Sequence, residues 1–450
     1  MSAHHTAFVA TMIFGALSLA SAQHARADCT YTIKGNVEVA HQLSELQSTL
    51  GAESPLENIQ VKVSAQKKVG FVWGWFSEWE TVRTDADGAF SVTKTKNCAK
   101  RRFRVKVKFD DDELELRHET STSSLTKVKW YTVYDDSGDV YRDSVTVNLG
   151  DLTFESGGND DLGEFEPRRH ADIWVLYHMA FDQMADYGHP FEDKIKLKYP
   201  HDGVAPDLPE ASYANPLNNV IYIVKNSGSD AGDDTDTLLH ELMHMWLYQH
   251  SRGEDAMAGY LVTHLQRGTH DIVDQEYVAF HEGFAEYSMH VLVEDLFGIE
   301  RPLPLSRTTL AGQGLDTLEM MQFKDTGWES TFLLIALEHL DDYDFSSTGY
   351  RIDERGFGLA QTCDEVTQIG FKRLLRIFAA DDDAGYSQQI HRDEMNYDDF
   401  FTRAQDILSK YDAADEDVHL QLLDPESDFE PYEDICEPWI IGPGSGWLSF

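Results

Sequence analysis

The run His240-Glu241-Leu242-Met243-His244 constrains the fold most, because it lies in a predominantly apolar stretch, residues 238–248. Such a stretch is typical of a buried helix, and residues four apart on a helix share one face. The segment before it, residues 233–237, supplies the capping oxygens and negative charge that a helix N-terminus favours. The sequence therefore predicts a buried helix with His240 and His244 on one face and Glu241 beside them.

The spacing of His240 and His244 allows both ring nitrogens to bind one metal ion, with Glu241 facing the open side of the metal. A catalytic zinc ion has three protein ligands and a fourth position for water, so a third ligand is required. One candidate is His250, at the spacing of the metzincin pattern. That pattern needs a glycine where this chain has Leu247, and on a continuing helix His250 would face away from the metal.

The other candidates lie in a second predicted helix, residues 275–297, in which Glu282 and Glu286 are four residues apart and share a face. One of these carboxylates can bind zinc. The other can then accept a hydrogen bond from a ligand histidine and fix its tautomer. The pair thus provides a third zinc ligand and a carboxylate that orients a histidine.

Together, His240-Glu241-x-x-His244 and Glu282-Gly283-Phe284-Ala285 resemble the gluzincin clan of metallopeptidases, in which a glutamate on a second helix completes the zinc site. The resemblance covers residues 166 to about 410. It implies one Zn²⁺ per chain held by His240, His244 and Glu282, with Glu241 as the general base. Thermolysin-like members have an aspartate four residues after the glutamate ligand, and Glu286 occupies that position here.

The resemblance implies a zinc metallopeptidase that hydrolyses peptide bonds and takes a peptide or protein as substrate. Such enzymes also need a donor for the oxyanion of the tetrahedral intermediate, and the candidates are Tyr343, Tyr350, Tyr386 and His391. A predicted strand, residues 219–224, either offers its backbone to an extended substrate or is an ordinary core strand. Two alternative functions are a binding or adhesion protein with an inactive zincin-like domain, and a metzincin-type site that uses His250.

The N-terminal part contains short alternating runs separated by turn signals, which is typical of a β-sandwich. The predicted strands are residues 30–39, 59–65, 89–94, 103–109, 128–134 and 144–149. The pattern Gly35-x-Val37, Pro55-Leu56-x-x-Ile59 and Asp85-x-x-Gly88-x-Phe90 resembles the carboxypeptidase-regulatory or transthyretin-like module. Within it, the aromatic hairpin of residues 70–79 either packs against the protein, the favoured interpretation, or stacks on a sugar or peptide.

These patterns predict a multidomain chain, with an all-β sandwich followed by an α+β, mainly helical zincin-like catalytic domain. Further helices are predicted at residues 169–187 and 327–340. The expected boundaries are a signal peptide at residues 1–27, the sandwich at 28–154, an acidic linker at 155–165 and the metallopeptidase domain at 166–450.

Export is indicated by the uncharged, mostly apolar run of residues 7–22, followed by small-residue cleavage sites. That run is too short to be a membrane anchor. Four widely spaced cysteines favour disulfide bonds, and pairing within each half gives Cys29 with Cys98 and Cys363 with Cys436. The expected location is therefore secreted or periplasmic.

The formal net charge of −42 disfavours binding to nucleic acid and to anionic membranes. Calcium is a weaker expectation than zinc, because the acidic clusters at residues 110–112, 230–236 and 381–383 lack the EF-hand ligand spacing. The sequence assigns no oligomeric state.

Overall fold

The structure is a computed structural model that describes residues 27–117, 130–135, 140–154, 167–201, 212–225, 230–251 and 276–299, with 375, 377–379 and 403. The strands are β1 (Asp28–Ala40), β2 (Glu53–Pro55), β3 (Gln60–Val69), β4 (Val72–Trp73), β5 (Ser77–Arg83), β6 (Ala89–Asn97), β7 (Arg101–Lys108), β8 (Leu114–Arg117), β9 (Tyr131–Asp135), β10 (Val145–Phe154), β11 (Ile195–His201), β12 (Tyr213–Asn215) and β13 (Val220–Val224). The helices are α1 (Ser44–Leu50), α2 (Pro167–Asp186), α3 (Thr235–Gln249) and α4 (Glu276–Phe297).

Two sheets form the N-terminal part of the structure. In the first, β1 pairs in parallel with β10 and antiparallel with β2 and β6. In the second, β3 pairs with β7 along one edge and with β4 and β5 along the other, and β7 also pairs with β9. Successive side chains point to opposite faces of a strand, so alternate residues such as Ile33 in β1 and Val105 in β7 are buried. The six predicted strands correspond to β1, β3, β6, β7, β9 and β10.

A third sheet, in the order β12-β13-β11-β8, connects the two halves of the chain. Strand β8 comes from the N-terminal half and pairs in parallel with β11, with Leu116 opposite Leu197. Strand β13 pairs in parallel with the other side of β11. Buried side chains from both halves belong to one hydrophobic core, which includes Phe109, Trp174 and Leu242. The described halves are therefore joined by both hydrogen bonds and side-chain packing.

The predicted fold class, an all-β sandwich followed by an α+β, mainly helical zincin-like catalytic domain, is wrong. The described residues form thirteen strands and only four α-helices. The sheet beside the helices also recruits β8, a strand that the sequence patterns did not predict. Local periodicity identifies an element, but it does not reveal which distant element completes its hydrogen bonds.

Helix α3 begins as predicted, because the Asp234 side chain caps it by accepting a hydrogen bond from the backbone N–H of Asp236 at 3.2 Å. The helix continues through Leu247 to Gln249 and ends at His250. It packs against α4, where Trp246 stacks on Phe284 with ring centroids 5.6 Å apart. This packing brings the predicted metal-binding segments of α3 and α4 together.

The predicted disulfide between Cys29 and Cys98 is confirmed. It joins the start of β1 to the end of β6 and closes a sequence separation of 69 residues. The expected signal peptide apart from residue 27, the linker, the helix at 327–340 and the pair Cys363 and Cys436 lie outside the described residues. No described helix is long and apolar enough to cross a membrane.

Candidate metal centre

Helix α3 brings the imidazoles of His240 and His244 together. Their Nε2 atoms are 3.0 Å apart, and the rings are nearly perpendicular, with an interplanar angle of 86°. Two nitrogens bound at about 2.0–2.1 Å to a tetrahedral zinc ion would be about 3.3 Å apart. The observed arrangement therefore fits a pair of zinc ligands with little movement of either ring.

Helix α4 supplies a carboxylate behind the first of these histidines. Glu286 Oε2 lies 3.2 Å from Nδ1 of His240, and Oε1 lies 3.3 Å from Nε2 of His290. Burial alone would raise the pKa of Glu286, but hydrogen bonds from His240 and His290 and their charges hold it well below its ordinary value. Glu286 is therefore a carboxylate at neutral pH and accepts a hydrogen bond from each ring.

This contact determines which nitrogen of His240 is available to a metal ion. When Nδ1 of His240 donates its hydrogen to Glu286, the lone pair of a neutral ring is on Nε2. That is the atom closest to His244. Glu286 thus orients His240 in the tautomer that zinc binding requires.

Glu241 is buried on α3 beside the histidine pair. Its charge also acts on Tyr177 of α2. Burial raises the pKa of Tyr177 well above its ordinary value, and the charge of Glu241 raises it further. The Tyr177 hydroxyl donates a hydrogen bond to the backbone carbonyl of Leu238 at 2.9 Å. Tyr177 therefore remains a protonated donor and attaches α2 to the first turns of α3.

The third ligand predicted from the sequence, Glu282, lies in α4 one helical turn before Glu286. Its side chain is outside the described residues, as are Tyr343, Tyr350, Tyr386 and His391. The other candidate, His250, stacks on Trp246 with ring centroids 4.2 Å apart. Its Nδ1 donates to the carbonyl of Trp246 at 3.0 Å, so the ring packs against its own helix.

Strand β13, which was considered as a platform for an extended substrate, has neighbours on both sides. It pairs with β11 on one side and β12 on the other. Its backbone hydrogen-bonding groups are therefore already used by the sheet. Strand β12 ends the described sheet and packs against α3.

A second group of side chains, Asp111, Glu113 and His178, could hold a metal ion. Nε2 of His178 lies 2.8 Å from Asp111 Oδ2 and 3.9 Å from Glu113 Oε2. Its Nδ1 faces the carbonyl of Trp174 at 2.8 Å. Asp111 also accepts a hydrogen bond from Asn58 at 3.0 Å, so two side chains of the protein hold its carboxylate.

The charge state of His178 follows from these contacts. Burial alone would lower its pKa, but the hydrogen bond and charge of Asp111 raise it above the ordinary value of 6.5. Burial would likewise raise the pKa of Asp111, and the hydrogen bond from His178 lowers it. In the absence of a metal ion the pair is an ion pair between the β8 region and α2, and a metal ion would displace the proton on Nε2 of His178.

The acidic clusters considered for calcium are paired with cationic or polar side chains where the structure describes them. Asp110 contacts Lys108 and Lys194, and Asp230 contacts Lys225 and the hydroxyl of Tyr199. The cluster at residues 381–383 is outside the described residues. These contacts compete with calcium binding at Asp110 and Asp230.

Sequence reasoning did not single out Tyr177, His290, Glu113 or His178. The only local signal for His290 was its position four residues after Glu286, which places both on one face of α4. Glu113 and His178 are 65 residues apart in the sequence, and Tyr177 is 64 residues before Glu241. No local pattern could have associated these distant residues.

Comparisons with known proteins assign no family. No family model matches the chain, and no curated protein matches it. A solved structure of a 9R-lipoxygenase from Cyanothece PCC8801 matches 35% of this chain with 14% identity and a TM-score of 0.16. The matched part spans 24% of the lipoxygenase chain, and so weak a likeness carries no functional argument.

Proposed function

We propose that this protein is an exported zinc-dependent metallopeptidase with a glutamate-type zinc site similar to that of the gluzincins. The observation that carries the proposal is the array of Glu286, His240 and His244. Its carboxylate-to-imidazole contact of 3.2 Å and Nε2-to-Nε2 separation of 3.0 Å suit a zinc site. The proposed site binds one zinc ion per chain.

The proposed ligands are His240, His244 and Glu282. The position of Glu282 one turn before Glu286 supports its choice, because one face of α4 would then supply both the ligand and the carboxylate that orients His240. The packing of His250 on Trp246 argues against His250 as the third ligand.

The residues of the chain have separate roles in the proposed reaction. A bound zinc ion would polarise the scissile carbonyl and make a water molecule more acidic. Glu241 accepts a proton from the attacking water and passes it to the leaving amine. Glu286 holds the His240 ring, and Tyr177 fixes the start of α3 through Leu238.

Export is supported by the Cys29–Cys98 disulfide, because disulfides form and persist mainly in oxidising compartments. The expected signal peptide at residues 1–27 agrees with this location. We therefore propose that the enzyme acts outside the cytoplasm on peptides or proteins.

The decisive experiment measures zinc content and peptide hydrolysis on the same preparations. The wild-type chain should bind one zinc ion and cleave a mixed peptide library, and a chelator should abolish cleavage. Glu241→Gln should retain zinc but lose activity by about 10²-fold or more, because it removes the general base. His244→Gln should lose both zinc and activity.

Glu113→Gln is the matched control, since it removes a carboxylate from the second group and leaves the α3 site intact. It should retain both zinc and activity. If Glu113→Gln loses the zinc ion while His244→Gln retains it, the metal belongs to the second group and the proposal is wrong. A wild-type chain that binds zinc but cleaves no peptide would favour the binding-protein alternative.

A further inference from the structure

The hairpin formed by β3 and β4 carries exposed apolar side chains at its end and outer edge. Phe71 is 99% exposed, Trp75 96%, Val72 70% and Val69 67%. The packing interpretation of the aromatic hairpin holds for Trp79, which is 9% exposed and contacts Phe103 and Tyr31. It does not hold for Phe71 and Trp75, which the protein leaves in water.

Basic side chains surround this apolar hairpin end. Residues 88–109 contain eight lysines and arginines and no aspartate or glutamate, in a chain whose net charge is −42. Strand β7, which carries several of these residues, pairs with β3, placing Lys67 opposite Arg101 and Gln66 opposite Arg102. The segment that includes β7 is therefore positively charged, in contrast to the chain as a whole.

Some of these positive charges are not neutralised by neighbouring carboxylates. Within the described part of the chain, no carboxylate forms an ion pair with Lys67, Lys68, Lys100 or Arg102. The pKa of Lys100 is lowered mainly by the charge of Arg142, and to a smaller extent by desolvation and by the charge of Lys68. Arg102 lies over the ring of Trp73 at 4.1 Å, so the basic and aromatic side chains form one continuous surface.

The distance between the apolar end of the hairpin and the level of Trp75 and Arg102 suits a lipid interface. The last β3–β4 pair is Val69 with Val72, and Gln66 lies three residues further from the hairpin end. At about 3.3 Å per residue, Gln66 and Trp75, each three residues from this pair, lie about 10 Å behind it, and Arg102 lies opposite Gln66. Interfacial segments bury apolar side chains about 5–10 Å into the boundary between headgroups and acyl chains. Tryptophan and basic residues favour the headgroup level.

We propose that the hairpin end docks this protein on a membrane that contains anionic phospholipids. Phe71, Val69 and Val72 enter the apolar side of the interface, Trp75 lies at the headgroups, and Lys67, Lys68, Lys100 and Arg102 contact lipid phosphates. The proposal reverses the expectation from net charge. Charges more than about 8–10 Å apart are largely screened by physiological salt, so the local basic surface governs contact with a membrane.

The test is cosedimentation of the full chain with vesicles of phosphatidylcholine, with and without phosphatidylglycerol. The wild type should bind vesicles containing phosphatidylglycerol, and Phe71→Ser with Trp75→Ser should weaken binding by about tenfold or more, because two large apolar side chains no longer enter the interface. Lys67→Gln with Lys100→Gln should weaken binding by about fivefold for each charge removed. Trp75→Phe should retain binding but lose part of the lipid-induced blue shift in tryptophan fluorescence.

The matched control is Leu50→Ser, which removes an exposed apolar side chain at the end of α1 and should leave binding unchanged. The proposal is overturned if the wild type binds neither vesicle or binds both equally. It is also overturned if the Phe71 and Trp75 variant binds like the wild type, or if those substitutions abolish binding to an anionic polysaccharide while the vesicles stay unbound.

Discussion

Replacing Glu286 by glutamine tests how the structure orients His240. The substitution keeps the shape of the side chain but removes its negative charge and turns one oxygen acceptor into an NH₂ donor. In the structure the two oxygens accept from two rings, at 3.2 Å from His240 and 3.3 Å from His290. One glutamine oxygen cannot serve both rings at these positions.

The expected magnitude follows from this mismatch. If the NH₂ group faces His240, Nδ1 must become the acceptor, and the hydrogen then sits on Nε2, where zinc should bind. Loss of a carboxylate behind a ligand histidine typically weakens metal binding by about 10–100-fold. That loss corresponds to about 1.4–2.7 kcal/mol of zinc-binding free energy.

The assay is competition between the protein and a chromophoric chelator for zinc, with thermal unfolding as a check that the variant is folded. His290→Gln is the matched control, because it removes the second donor and leaves the contact between Glu286 and His240. We expect it to change zinc affinity by less than about threefold. A folded Glu286→Gln protein that binds zinc within twofold of the wild type would refute the assigned role of Glu286.

Three further predictions concern catalysis and stability. Glu241→Gln should bind zinc like the wild type and lower kcat/KM by about 10²-fold or more, measured with a fluorogenic peptide. His178→Gln should lower the free energy of unfolding by about 1–3 kcal/mol near pH 5.5 in urea titrations. The raised pKa of His178 means that its contribution is full below 6.5 and is lost as pH rises through the folded value, whereas the lowered pKa of Asp111 preserves the pair down to acid pH. The difference in stability between the variant and the wild type should therefore shrink as pH rises through the folded-state pKa of His178, and a difference that does not change with pH would contradict the ion pair. Cys29→Ser with Cys98→Ser should destabilise the chain by at most about 4 kcal/mol, since the bond closes a 69-residue separation, and equal stability of oxidised and reduced wild type would disprove this.

The sequence predicted individual elements better than their assembly. Strong local periodicity identified β1, β7, α2, α3 and α4 within a few residues of their observed limits. Strand β8 was missed because its four residues gain their order from β11, about 80 residues further along the chain. The fold class was wrong for the same reason, because which strands share a sheet depends on contacts that no local pattern records.

The candidate site shows a similar division. Helical spacing predicted the shared faces of His240 with His244 and of Glu282 with Glu286. It did not indicate that Glu286 would be held between His240 and His290, or that Tyr177 would approach Glu241 from α2. These contacts depend on how the three helices pack.

Net charge was similarly incomplete as a guide to the surface. Composition alone predicted repulsion from anionic partners, but pairing of β3 with β7 gathers basic residues next to Phe71 and Trp75. Exposure of an aromatic side chain also depends on whether another element covers it, and no described element covers these two.

The sequence by itself determined the chemistry that the chain can carry, because residue type and helical spacing depend only on neighbours within a turn or two. It placed two imidazoles and Glu241 on one buried helix, and two carboxylates on another. The tertiary structure decided which carboxylate holds His240, which strands share a sheet and which aromatic side chains remain in water. Those outcomes depend on the packing of residues far apart in the chain, where burial and hydrogen bonding are satisfied across elements rather than within them.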